Sequence, residues 1–184
     1  MKKTTLFTHI TAAIIITGII ILIYAAVQQA HRTSANDPQI QIARDVSNAL
    51  SEGKSINRLL PADTINIEKS LAVFAELFDN NGKPLQSTGL LNGKFPEPPS
   101  GVFKYANEYG EDVITWQPQT DVRMAMVFEK ANNANVSYVA VGRSLKETEV
   151  RENNLLNMVR IAWIACMAIL IIHFFLQNYL LRKA

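Results

Sequence analysis

The chain has 184 residues, of which 48% are apolar, with 18 bases, 16 acids, a net charge of +2 and a mean hydropathy of +0.07. That length suits about one domain, and this much apolar character argues against disorder along the whole chain. All 16 acids lie between Asp37 and Glu152 against 13 bases over 32–151, a net −3 in the middle; with no basic patch, nucleic-acid binding loses its usual electrostatic support.

The first element is a membrane span. From Thr4 to His31 there is no Asp, Glu, Lys or Arg, and residues 6–27 are apolar apart from Thr, His9 and Gly18. A helix needs about 20 residues to cross a hydrocarbon core. The apolar stretch is too long for a cleaved signal peptide, and no good small-x-small cleavage site follows it. Residues 161–181 again lack formal charge, with Trp163 near one end and Tyr179 near the other, as in an aromatic belt. Lys2 and Lys3 precede the first span, while Arg182 and Lys183 follow the second. The positive-inside bias then expects both termini in the cytoplasm. The expected organisation is a tail at 1–5, a span at 6–28, an extracytoplasmic domain at 29–158, a span at 159–181 and a tail at 182–184.

The spans are expected to pack on each other. Thr4, Thr11, Gly18 and Ala25 recur every seven residues and form one small-residue seam. On the second span Ala162, Cys166, Ile169, His173 and Gln177 lie roughly along one face, suited to interhelical packing and hydrogen bonding.

In the middle, Asp37-Pro38 reads as a cap with proline at the first helical position. Ile42, Val46 and Leu50 then give an apolar stripe ending at Gly53, hence a helix over about 38–52. Residues 55–70 are mixed, with Leu59, Leu60, Ile65 and Ile67 docking a loop onto the core. A strand is expected over 71–78, a turn at Asp79-Asn80-Asn81-Gly82, and a return strand over 85–88. A short helix over 100–109 closes at Gly110. Strands follow over 113–117, 122–130 and 137–143, with turns at 118–121 and 132–135. Ser144-Leu145-Lys146-Glu147 is a capping-box pattern, and no Gly or Pro follows it. The last helix is therefore expected to run unbroken from about Leu145 across the membrane, as a stiff tether or a rod that passes on a shift in the sheet. The fold class is α+β, a five-stranded antiparallel sheet with flanking helices.

Composition also bounds the chemistry. Cys166 is the only cysteine, and the histidines are His9, His31 and His173. The middle therefore lacks the residues for a disulfide, a Ser-His-Asp triad, a Cys-His pair or a His-based zinc site. Paired carboxylates remain open, but no local pattern argues for a pair, and no Gly-rich phosphate loop is present. No enzyme activity, metal or cofactor is expected. Only Ala184 follows Arg182-Lys183, so no cytoplasmic output domain is expected on this chain.

The segment Phe78-Asp79-Asn80-Asn81-Gly82-Lys83-Pro84-Leu85 resembles the first hairpin of the PAS-like (Cache-type) extracytoplasmic sensor regions of bacterial membrane histidine kinases. The runs Asn92-Gly93-Lys94-Phe95-Pro96 and Pro99-Ser100-Gly101-Val102-Phe103 are similar to the segment between that group's sheet halves. Thr115-Trp116-Gln117-Pro118 with Val122-Arg123, and Val141-Gly142-Arg143-Ser144-Leu145 with Glu147, resemble its closing strands and exit helix. The likeness covers about 71–152 and the two-span layout, and lacks the kinase. It implies a PAS-like sensor domain held between two spans in a bacterial cytoplasmic membrane, its central domain extracytoplasmic.

With the hairpin turn centred on Gln119-Thr120, Trp116 is expected opposite Arg123. Such a pair either stacks structurally or frames a pocket for a small carboxylate. Tyr105 and Tyr109, one turn apart, and Arg143 complete the candidate ligand residues. Glu108, Glu111 and Asp112 read as a solvated acidic face. The expected function is a membrane-anchored sensor or ligand-binding module that relays through its spans to a membrane-protein partner or a second copy. The alternatives are an assembly protein whose domain only makes protein contacts, and a truncated sensor kinase. The expected partners are membrane lipid, that partner protein and a small molecule.

Overall fold

The structure, a computed structural model, describes residues 3–55, 59–61 and 63–183. Lys2 and part of the 55–70 loop lie outside them. The element order is α1 (Lys3–Ser51), β1 (Ile65–Asn66), β2 (Phe74–Phe78), β3 (Pro84–Ser87), β4 (Gly89–Leu90), α2 (Gly101–Tyr109), β5 (Glu111–Gln119), β6 (Val122–Lys130), β7 (Tyr138–Ser144) and α3 (Lys146–Lys183). The chain divides into two compact units. One comprises Met1–His31 and Val150–Ala184, the other Arg32–Glu149.

The second unit is α+β. Its main sheet has five antiparallel strands in the order β3-β2-β7-β6-β5, and β1 pairs with β4 in a separate two-stranded parallel sheet. Strand alternation sends successive side chains to opposite faces, so the sheet has two cores. On one face Ala75, Leu77, Val127, Val139 and Val141 pack with Ala43, Val46 and Leu50 of α1. On the other, Phe74, Phe78, Met124, Met126, Phe128 and Ala140 pack with Val102 and Ala106 of α2. Here Phe103 meets Phe78, Phe128 and Tyr138 at ring separations of 4.9, 5.8 and 5.1 Å. Each full burial of such a side chain contributes roughly 1.5–3 kcal/mol.

Local chemistry sets the boundaries. The β2–β3 turn is held by the Asp79 carboxylate, whose Oδ1 accepts from the N–H groups of Asn81 and Lys83, each at 2.8 Å. Gly82 closes it at φ +75°, and a Cβ there would stand 2.7 Å from the Phe103 ring. The strand expected from residue 71 starts later, at Phe74, because the Ala72 N–H goes to the Ser70 hydroxyl in a turn rather than to a ladder. Pro118 sits inside β5, which forms the edge of the sheet and so tolerates a residue without N–H. Lys146 N–H donates to the Ser144 hydroxyl at 3.3 Å, and α3 then runs without a break to Lys183.

One boundary differs from expectation. No helix starts at Asp37-Pro38; α1 runs through Pro38 to Ser51. Proline fixes a helix-compatible φ and removes one internal hydrogen bond, a cost of about 3 kcal/mol. Beyond it Ala43, Val46 and Leu50 are anchored on the sheet. The helix end is as expected, with Gly53 at φ +79° and the Asn133 amide donating to the Leu50 carbonyl at 3.0 Å.

In the first unit, two helices long and apolar enough to cross a membrane lie antiparallel, and polar contacts join them. His9 Nε2 meets His173 Nδ1 at 3.0 Å, and the Trp163 indole N–H donates to the Thr17 hydroxyl at 3.0 Å.

Candidate functional site

The expected ligand cluster does not assemble at one place. Trp116 stands opposite Met124, not Arg123, because the β5–β6 register shifts between Trp116 and Gln119. Gln119 pairs with Val122, which leaves Thr120-Asp121 as the turn, with Asp121 at φ +63°. β5 then holds one extra residue around Gln117-Pro118, where the proline offers no ladder donor. This correction moves Arg123 to the other face of the sheet. There its guanidinium pairs with Glu149 at 3.2 Å, and its carbonyl accepts from Leu145 N–H. Arg143 lies opposite Ala125 on that same α1-side face. Trp116 packs on the α2-side core. Tyr105 and Tyr109 stack on each other at 4.5 Å on the exposed side of α2. The indole and the two arginines thus stand on opposite faces, and no shared pocket for a carboxylate forms.

The small-residue seam is also turned away. Gly18 has nothing within 4 Å of where a Cβ would stand, and Thr11, Gly18 and Ala25 are exposed. Thr11 spends its hydroxyl on the Phe7 carbonyl. The less exposed face of the first helix carries Thr5, His9, Ala12, Ile16, Thr17, Ile20 and Tyr24 instead, a mix of small and large side chains. On the second helix Cys166 and Gln177 are half-buried, His173 meets His9, and Ala162 is exposed. An almost wholly apolar groove of about 420 Å³ remains beside this contact, lined by residues that include His9, Met167 and Phe174.

The α2 side of the sheet carries a more unusual group. Glu76, on β2, is fully buried, and neither carboxyl oxygen has a hydrogen-bond partner among the described residues. It lies between Phe74 and Phe78 on the strand and opposite Ala140 and Ser87. Burial first, and the charge of Glu97 second, push its pKa up to about 9. Glu76 is therefore a neutral acid at pH 7. Glu97 in turn lines a polar cleft of about 560 Å³ with Asn92, Lys94, Phe95, Trp116 and Pro118. Leu91 and Trp116 line it too and pack on the same core as Phe74 and Phe78.

A second, half-buried carboxyl gives the contrast. Glu129 on β6 faces Glu111 on β5 directly across the ladder. Burial and the adjoining Glu111 raise its pKa, while the Arg44 charge lowers it. Arg44 of α1 pairs with Glu111 at 3.1 Å. The expected acidic face is thus split: Glu111 is paired, burial raises the Asp112 pKa while a hydrogen bond from the Val113 N–H lowers it, and Glu108 is exposed.

Sequence reasoning missed Glu76 and Glu97. The signal was present in Phe74-Ala75-Glu76-Leu77-Phe78, where period two places an acid between two phenylalanines on one face. No group of three or more His, Cys, Asp or Glu among the described residues is arranged to hold a metal ion. No protein-family model matches the chain, and no curated protein matches it in sequence.

Proposed function

We propose that this chain is a membrane-anchored sensory module, in which a PAS-like α+β unit outside the bacterial cytoplasmic membrane binds a small ligand and biases a partner protein through the two long helices. The observation that supports it most is Glu76. A buried carboxyl without partners costs several kcal/mol, and its apolar neighbours give no packing reason for it. Strongly perturbed buried carboxyls cluster at functional sites. The five-stranded antiparallel sheet, with a helical segment between its halves and an unbroken exit helix, is the architecture that the family resemblance implies. The two apolar helices support the anchoring. The bases Lys2, Lys3, Arg182 and Lys183 beside the two spans support a cytoplasmic side for both termini.

The test is a thermal-shift screen of the full chain in nanodiscs against a broad metabolite set. A ligand for the folded state raises the melting temperature by mass action. The reading fails if no compound raises it and Glu76→Gln leaves cellular phenotypes unchanged. A reporter fused after Ala184 tests the topology, and periplasmic-type activity there inverts it. One observation favours an assembly role instead: Thr11, Gly18 and Ala25 face outward on α1, leaving a smooth surface for another membrane helix. Membrane crosslinking and co-purification of a stoichiometric complex, with no ligand response, would favour that reading.

A further inference from the structure

The two apolar helices carry His9 and His173, and these two rings bond to each other. His9 Nδ1 lies 2.8 Å from the Thr5 carbonyl of its own helix, and His9 Nε2 lies 3.0 Å from His173 Nδ1. A carbonyl oxygen only accepts, so His9 Nδ1 carries a hydrogen, and in the neutral ring Nε2 is then a bare acceptor. The hydrogen between the rings therefore belongs to His173 Nδ1, which leaves His173 Nε2 with an open lone pair.

We propose that His9 and His173 form a proton-binding latch between the two helices, which one added proton tightens and a second opens. The first proton, taken from water, adds at His173 Nε2, the lone pair that no bond occupies. The N–H···N bond between the helices survives and becomes charge-assisted, hence stronger. Its positive charge is shared by two rings, which suits apolar surroundings: the His9 ring meets the Phe174 ring edge-on at 5.3 Å and lines the apolar groove. A second proton must add at His9 Nε2, where it faces the N–H of His173. Two donors and two like charges then meet, and the bond breaks.

No acid of the spans offsets that second charge, since residues 4–31 and 161–181 contain no Asp or Glu. The bases nearest the pair along the chain are Lys3, Arg182 and Lys183, and the Lys183 ammonium lies over the Tyr179 ring at 4.7 Å. Tyr24 and His31 on α1, and Cys166 and Tyr179 on α3, stand at least six residues from the pair, about 9 Å of helix. The acids Glu147, Glu149 and Glu152 lie at the opposite end of α3. The Trp163–Thr17 contact between the same helices holds no titrating group. Thr17 is eight residues from His9, about 12 Å of helix. Protonation therefore acts at one end of the helix pair, the end that carries both chain termini, and leaves the Trp163–Thr17 contact as a pivot. The latch needs only the two helices, and it stands whether or not the α+β unit binds a ligand.

The experiment is nitrogen NMR of the full chain, labelled with ¹⁵N-histidine, in phosphatidylcholine nanodiscs from about pH 8 to about pH 4. Coupling between His9 Nε2 and His173 Nδ1 through the shared hydrogen reports the bond itself. It is expected at the start, with both Nδ1 atoms protonated and both Nε2 atoms bare. The first proton should appear at His173 Nε2 with the coupling kept, and the second should abolish it. No coupling at any pH overturns the latch, as does its loss with the first proton or its persistence to the end of the titration. Spin labels at Leu6→Cys and Phe175→Cys, two positions on the same groove, report the helix spacing in a Cys166→Ala chain. The population with separated helix ends should rise about threefold with the second proton, the weight of one interhelix hydrogen bond in a membrane. His173→Asn puts an amide at the Nδ1 position that turns to donate or accept as His9 requires, so the spacing should no longer change with pH. His173→Leu should separate the ends at every pH. A His173→Asn chain with the wild-type pH dependence, or a wild-type spacing that ignores pH, makes the bond merely structural and overturns the latch. Either failure leaves the ligand reading of the α+β unit standing.

Discussion

The two faces of the central sheet each carry a carboxyl with a raised pKa, fully buried on one side and half-buried on the other, and treat it differently. On the α1 side, Glu129 shares its ladder position with Glu111, and Arg44 reaches across from the helix to supply the counter-charge. On the α2 side, Glu76 has a second carboxylate, Glu97, as the charge that acts on it. Neither face is fully satisfied, since on the α1 side Glu129 Oε2 and the buried Gln39 amide also lack hydrogen-bond partners among the described residues. A neutral amide in that position costs less than an acid that must hold its proton to stay buried. The difference teaches where each face gets its order. The α1 face is compensated in part from within the fold, by Arg44, whereas the charge that acts on Glu76 is a second carboxylate.

If the faces differ in charge and not in packing, removing apolar volume should be costly on both. Phe74→Ala on the α2 face is expected to lose about 3–5 kcal/mol, and Leu77→Ala on the α1 face about 2–5 kcal/mol. Both side chains are almost wholly buried. Denaturant unfolding of the full chain, followed by circular dichroism, measures both. A large cost on one face and almost none on the other would break the comparison.

The next effect is of opposite sign. Between pH 4.5 and about 9 the folded chain keeps the Glu76 proton that the unfolded chain has released. Protons bound in the folded state then exceed those in the unfolded state, so stability falls as pH rises, by roughly 1.4 kcal/mol per pH unit. Below pH 4.5 the contribution vanishes. Glu76→Gln should therefore stabilise the chain by about 3 kcal/mol at pH 7 and flatten the slope. Glu129→Gln should change stability less, because Glu129 is only half-buried and the Arg44 charge offsets part of the rise that burial and Glu111 cause. Equal pH slopes in wild type and Glu76→Gln would remove the contrast between the faces. Smaller again, Gly142→Ala should cost about 1–3 kcal/mol. A Cβ there stands 2.5 Å from the Phe74 ring, which must shift. An unchanged melting curve would mean that the α2 face is looser than its rings suggest.

Much of this architecture was legible in the residues. Asp79 with Gly82, Gly110 after a short amphipathic run, and Ser144 before a stretch without Gly or Pro each mark a boundary by local chemistry, and local chemistry is what a single sequence exposes. The register of β5 on β6 was not legible. It depends on one extra residue beside Pro118, and a slip of one residue exchanges the faces of a strand. That slip separated Trp116 from Arg123 and dissolved the expected pocket. The packed face of α1 was misread for a related reason. A seven-residue repeat of small residues marks a face that permits close approach, but His9, Ile16, Ile20 and Tyr24 compete at similar spacing. Which stripe wins depends on the partner helix. Glu76 was visible as an acid between two phenylalanines, but its lack of a partner is a tertiary fact.

The smallest effect tests the α1 face most directly. Arg123 was expected to hold a ligand, yet its guanidinium reaches Glu149 at the start of α3, with both side chains well exposed at 50% and 43%. Exposed ion pairs contribute about 0–1 kcal/mol, so Arg123→Ala should change stability by about 0.5 kcal/mol and lose that effect in high salt. Its backbone carbonyl, which accepts from Leu145 N–H, survives the substitution. The first turn of α3 should therefore stay docked on β6 even without the side chain, and amide exchange at Leu145 should remain slow. Ligand response should be unchanged as well, because Trp116 and Glu97 stand on the other face. A variant that loses ligand response while keeping its melting temperature would return Arg123 to the site and make the two faces of the sheet one functional unit.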